Sequence, residues 1–166
     1  MELPKRKTVR LKGYDYNAPG YYFITLCTKE KQKLLCDIVG TGVLDGPKTD
    51  LTPYGITARK QIEIMKNFYP FVSVEKYVIM PNHIHFLFQV KESKNSGPSG
   101  TPVPTNSAIS QFVSTFKRFT NKEYGKNIWQ YRSNDHIIRG DKDYLKIYEY
   151  IENNPAKWHE DCFYVG

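Results

Sequence analysis

Cysteine is scarce in this chain. There are three residues, Cys27, Cys36 and Cys162, odd in number and with no Cys-x-x-Cys pair. That argues against a disulfide framework and against a cysteine-built zinc site, and it suits a reducing cytoplasm, the expected location. Long apolar runs are missing too: nothing approaches the roughly 20 residues needed to cross a bilayer, so no membrane partner is expected. Met1 to Lys12 is basic with no apolar stretch behind it and does not read as a secretory signal. Acidic residues fall short of basic ones, 17 Asp and Glu against 24 Lys and Arg, leaving a net charge of +7. A surplus of that size suits a polyanionic partner. No internal repeat is present.

Aromatic residues, by contrast, are plentiful at 14%, with 13 tyrosines, several beside basic residues. Single-stranded nucleic-acid surfaces use that mixture, since bases stack on rings while cations follow phosphates. With 40% hydrophobic and 25% charged residues over 166 positions, the chain reads as one globular domain, 1–166, able to bury a core.

Residues 1–20 read as a basic arm ending in the turn Asn17-Ala18-Pro19-Gly20. Tyr21 to Thr28 follows as a strand rich in β-branched and aromatic residues. Residues 29–52, with Gly40, Gly42, Gly46 and Pro47 among short apolar pairs, read as a hairpin or irregular excursion. Thr52-Pro53 opens a helix whose apolar positions are Ile56, Ile62, Ile64, Met65 and Phe68, closed by Tyr69-Pro70. Val72 to Met80 and Asn82 to Val90 read as strands. Residues 91–106, carrying proline, glycine and serine, read as a flexible surface loop. Ser107 can cap the next helix, where Ile109, Phe112, Val113, Phe116 and Phe119 recur at helical spacing. Its other positions include Lys117, Arg118 and Lys122. A short strand around His136 to Arg139 leads through Gly140-Asp141 into a helix from Lys142 to Asn154, stopped by Pro155. Strand–helix–strand–strand–helix–strand is the order of a ferredoxin-like α+β sandwich, here with one helix added at the end.

Strand side chains alternate between faces, so Ile84, Phe86, Phe88 and Val90 should share the buried side and His83, His85, Leu87 and Gln89 the other. Two imidazoles on one face can point at a common ion. They can equally be surface histidines on the solvated side of a half-buried strand. In the last helix Tyr144, Ile147, Tyr148 and Ile151 fall on one stripe and should face the core. Tyr150 and Asn154 are four residues apart and therefore neighbours on its flank. A tyrosine there, with a carboxamide one turn on, can present a hydroxyl beside a metal-bound phosphate, or can be an ordinary rim tyrosine.

Met80-Pro81-Asn82-His83-Ile84-His85, Trp129-Gln130, Asp135-His136-Ile137-Ile138-Arg139 and Tyr150-Ile151-Glu152-Asn153-Asn154-Pro155 resemble, in that order, the HUH single-tyrosine transposases, and within them the REP-associated tyrosine transposases. The opening Tyr14-Asp15-Tyr16 through Gly20-Tyr21-Tyr22-Phe23-Ile24-Thr25 is similar as well. The resemblance implies a ferredoxin-like nuclease with His83 and His85 as metal ligands, Tyr150 as nucleophile, and Asn154 as third ligand where the insertion-sequence relatives carry glutamine. The stretches 39–53 and 91–106 have no counterpart in the smaller insertion-sequence enzymes. It further implies cleavage and rejoining of single-stranded DNA through a 5′-phosphotyrosine, with Mg²⁺ or Mn²⁺ as the cofactor. The expected partners are single-stranded DNA hairpins formed by palindromic repeats, met by a monomer or homodimer. Lys5, Arg6, Lys7, Arg10 and Lys12 on the arm, with Lys117, Arg118 and Lys122 beside the same cleft, are the expected DNA contacts. Two rival readings stand: a non-catalytic single-stranded DNA or RNA binding module on the same sheet, and a metal-dependent hydrolase in which water attacks.

Overall fold

The computed structural model describes residues 14–40, 46–92 and 107–166. The basic arm residues Lys5, Arg6, Lys7, Arg10 and Lys12, and most of the 91–106 loop, lie outside them. Six strands and three helices are found among the described residues: β1 (Gly20–Cys27), β2 (Cys36–Val39), β3 (Lys48–Leu51), α1 (Pro53–Met65), β4 (Val72–Met80), β5 (His83–Val90), α2 (Ala108–Tyr124), β6 (Asn134–Ile138) and α3 (Asp141–Asn153). An antiparallel sheet runs β4-β5-β1-β6, with β2 and β3 as a separate hairpin. Setting that hairpin aside, the order is that of the ferredoxin-like sandwich expected from the sequence. The 29–52 excursion thus contains a hairpin.

Helices α1 and α2 cover one face of the sheet. Ser107 accepts a hydrogen bond from the Ser110 amide (3.2 Å), as a helix cap should, and Gly125 ends α2 in the left-handed region at φ 66°. Phe112 and Phe116 of α2 pack on Phe86, centroids 6.2 and 5.9 Å apart, and Phe112 lies 5.0 Å from Phe88. Thr52 and Pro53 start α1 as expected, with the Thr52 hydroxyl accepting from the Gly55 amide at 3.3 Å. Gly55 is required there, since a β-carbon would overlap the Leu35 carbonyl.

Several expected core positions differ. Ile56, Ile64 and Phe68 are exposed, and Phe119 of α2 is exposed as well. The face of α1 that is buried carries Gly55, Ala58, Ile62 and Met65, because close approach to the 34–35 segment demands small residues at its start. The helix also stops at Met65, before Tyr69-Pro70.

The opposite face of the sheet is covered by α3 and the segment after it. Asp143, in the first turn of α3, accepts from the Arg139 amide (3.0 Å) and from His136 Nε2 (2.9 Å), which ties the start of the helix to β6. Ile151 is buried, as its phase predicts, whereas Tyr144 and Tyr148 are half-buried. Tyr144 meets Tyr21 at 4.8 Å, and the Lys76 ammonium sits 3.7 Å over the Tyr148 ring. Beyond Pro155 the chain reverses through a short 3-10 turn, Trp158–Glu160, and returns to the sheet.

Candidate active site

Register places the two histidines. In β5, His83 lies opposite Met80 and Cys27, and His85 opposite Val78 and Thr25, so both imidazoles point to the α3 side while Ile84 and Phe86 point to α1 and α2. Neither is a surface histidine: His83 is 0% and His85 1% exposed. The last helix and the returning C-terminal segment close over that face.

Their Nε2 atoms are 2.9 Å apart, and each ring is held through Nδ1. The Asn82 carboxamide donates to the carbonyls of Lys31 (3.3 Å) and Phe163 (2.8 Å), so its oxygen faces His83 Nδ1 at 2.8 Å and accepts that proton. The Nε2 lone pair of His83 is therefore the free one. Thr25 Oγ1 meets His85 Nδ1 at 2.7 Å, and a hydroxyl can accept from that nitrogen as readily as donate to it. Holding Nδ1 in this way is how metal-binding imidazoles are oriented. Pro81 and Asn82 make the two-residue turn between β4 and β5, so the Met-Pro-Asn-His sequence has a local physical purpose: it turns the chain and fixes the first imidazole.

Asp161 completes the cluster. One carboxylate oxygen, Oδ2, lies 3.7 Å from Nε2 of His83 and 3.7 Å from Nε2 of His85. The same atom accepts from Asn154 Nδ2 (2.7 Å) and from the Tyr150 hydroxyl (3.0 Å). The Phe163 amide donates to the other oxygen at 2.7 Å. His83, His85 and Asp161 offer ligand atoms all within 4.8 Å of one another, enough to hold a metal ion. The structure thus brings together His83, His85, Asn154 and Tyr150, all named from sequence, around an aspartate that was not. No spacing rule links Asp161 to the histidine pair, since only the reversal at Pro155 carries it back. Its one local signal is an acid set in the aromatic tail between Trp158 and Phe163.

The electrostatics favour metal ligation. Burial pushes the His83 pKa from 6.5 down to about 3, with the neighbouring His85 adding to the effect. Burial also lowers that of His85, so both rings are neutral and keep a lone pair. Burial opposes the Asp161 charge, but His85, Asn154 and the Phe163 amide outweigh it and hold the carboxyl below its ordinary range. Tyr150 is raised by burial and by the Asp161 carboxylate. Asn154 Oδ1 is buried with no hydrogen-bond partner. A buried carboxamide oxygen left without a donor is costly and calls for an explanation. With two neutral imidazoles and a carboxylate beside it, a divalent cation fits.

The phenylalanines of α2 pack on the Phe86 and Phe88 side, so the helix that carries Lys117, Arg118 and Lys122 covers the sheet face opposite the histidines, while the Lys117 charge still acts on Cys27, the partner of His83 across β1 and β5. Lys117 donates to the carbonyls of Gln130 (2.8 Å) and Tyr131 (3.2 Å), and Arg118 lies 5.1 Å over the Phe119 ring. None of the helices found among the described residues is long and apolar enough to cross a membrane.

No protein-family model matches the chain. An uncharacterized protein of Haemophilus influenzae is 34% identical over 96% of this chain and 93% of its own length. A REP-associated tyrosine transposase, so named provisionally, from the same organism is 29% identical over 86% of this chain and 74% of its own. The REP-associated tyrosine transposase of Escherichia coli is 31% identical over 60% of this chain and 53% of its own. Among solved structures, a REP-associated tyrosine transposase bound to a REP hairpin superposes with a TM-score of 0.63 at 24% identity, over 90% of this chain and 74% of that one. The chain is thus similar in sequence to REP-associated tyrosine transposases and shares the fold of one.

Proposed function

We propose that the protein is a metal-dependent endonuclease and strand transferase for single-stranded DNA, with Tyr150 as nucleophile. The observation that carries this reading is the meeting of the Tyr150 hydroxyl, two neutral imidazoles and an unpartnered carboxamide oxygen around one buried carboxylate. His83, His85 and Asn154 would hold the ion, with Asp161 as a further oxygen donor. Nitrogen with carboxamide and carboxylate oxygen suits Mg²⁺ or Mn²⁺ at cellular availability. When bound, such an ion polarises and orients the scissile phosphate.

The chain's own residues do the rest. Asp161 accepts the Tyr150 hydroxyl and fixes its direction. Tyr150 Oη forms a bond to phosphorus as the bond from phosphorus to the 3′-oxygen breaks. The tyrosine gives up its proton, the leaving oxygen gains one, and a 5′-phosphotyrosine and a free 3′-hydroxyl result. Attack by another 3′-hydroxyl reverses the step and joins strands with no other energy source. Hairpin-forming single strands are the proposed substrate, in keeping with the REP hairpin bound by the structural neighbour. Lys5, Arg6, Lys7, Arg10 and Lys12, with Lys117, Arg118 and Lys122, are the proposed phosphate contacts. Incubation with labelled palindromic hairpins and Mn²⁺, followed by denaturing electrophoresis, tests the reading. A covalent protein–DNA band that EDTA suppresses is expected, whereas cleavage with no such band would put water in the tyrosine's place.

A further inference from the structure

A second space opens directly off this cluster. Phe23 of β1, Ile147 and Tyr150 of α3, Phe163 of the returning segment, and Asn134 and His136 of β6 are among the residues lining a cleft of about 350 Å³ that also reaches His85. Its walls are rings and aliphatic carbon: Phe23 stacks at 5.0 Å on His85 and meets Tyr150 edge-on at 6.1 Å. The polar groups lie towards the sheet edge. His136 Nε2 is taken up by Asp143 at 2.9 Å, Asp135 and Lys146 also line the cleft, and Asn134 supplies its carboxamide. Register sets its position, since Asn134 pairs with Thr25 and Thr25 with His85. Asn134 therefore stands two strands from the histidine, or about 10 Å.

We propose that this cleft is a nucleobase pocket that takes up one unpaired base adjoining the phosphate presented to Tyr150. The inference deepens the single-strand reading above and rests on it. A base has apolar faces and a polar edge, and the cleft offers apolar walls with a carboxamide at the rim. Tyr150 and His85 line both cleft and cluster, so a phosphate at the tyrosine hydroxyl brings an attached nucleoside to the cleft mouth. In the pairing used to read bases in the major groove, a carboxamide meets adenine in two-point fashion through N6 and N7. The pocket therefore favours adenine.

Binding of fluorescein-labelled dA6, dC6 and an abasic hexamer of equal charge, followed by anisotropy with Mn²⁺ present, tests this. The full chain carries Tyr150→Phe so that nothing is cut. With that variant, dA6 should bind about tenfold or more tighter than the abasic strand, and tighter than dC6. Adding Asn134→Ala, a change at an exposed edge, should remove most of the preference for dA6 over dC6. Adding Ile147→Trp should fill the cleft and bring dA6 down to the abasic level, with the circular dichroism spectrum unchanged. Equal binding of dA6 and the abasic strand, or a preference that survives both changes, overturns the pocket. Wild-type adduct formation on hairpins is scored in parallel. Adducts with no base dependence sink the pocket alone, whereas Asn134-sensitive base dependence without adducts upholds the pocket and sinks the nuclease.

Discussion

The Tyr150 hydroxyl donates to Asp161 Oδ2 across 3.0 Å, joining the flank of the last helix to a residue that returns only after the Pro155 reversal. The same oxygen faces both imidazoles at 3.7 Å, so Asp161 couples the proposed nucleophile to the proposed ion. Asp161→Asn keeps the shape and removes the charge. Mn²⁺ affinity, measured by calorimetric titration, should fall about ten- to a hundredfold, and the Tyr150 hydroxyl should ionise more readily. Unchanged affinity would assign the ion to the histidines and Asn154 alone.

Acid should unfold the metal-free protein early. The His83 pKa is pushed from 6.5 to about 3, so between those values the unfolded chain binds a proton that the folded chain excludes. That contribution is fully present above about pH 6.5 and is lost as pH falls towards 3. Asp161, held below its ordinary range, acts in the same direction at the lower end. Thermal melts in EDTA should show stability falling steadily from pH 6.5 to pH 4. A flat profile would mean that the imidazoles are hydrated.

Helix α2 gives a separable expectation. Arg118 and Lys122 lie on the helix across the sheet from the cluster, so any phosphates they meet are remote from the scissile one. Changing both to glutamine should reduce the salt dependence of hairpin binding while leaving the adduct rate at saturating DNA within about twofold. An unchanged salt slope would mark them as solvated charges. Lys117→Met has a different consequence, because its ammonium holds the Gln130 and Tyr131 carbonyls. It should lower stability by about a kcal/mol, checked by denaturant titration.

The alternation within strands and the order of elements were legible because they follow from local patterns. Alternation along Asn82 to Val90 put His83 and His85 on one face, and helical phase put Tyr150 and Asn154 on one flank with Ile151 inward. What alternation does not carry is what lies above a face. The side of β5 bearing the histidines is buried only because α3 and the 158–163 segment fold across it, which is a tertiary event. Asp161 was missed for the same reason. For Lys117, Arg118 and Lys122, phase within α2 fixes which side of the helix meets a sheet, but not which face of the sheet that is. Ile56, Ile64 and Phe68 were misplaced because apolar spacing in α1 competes with the close approach that Gly55 and Ala58 permit.

The most direct measurement is covalent adduct formation by Tyr150→Phe set against Tyr148→Phe. Tyr150 is 36% exposed and loses only a hydroxyl, so folding stability should change by no more than about a kcal/mol. Hairpin binding should persist while the covalent band disappears. Tyr148 is half-buried beneath the Lys76 ammonium, so its loss should appear in stability, with the adduct still formed. A phosphotyrosine that forms at the normal rate in Tyr150→Phe would contradict the account and move the nucleophile to another tyrosine.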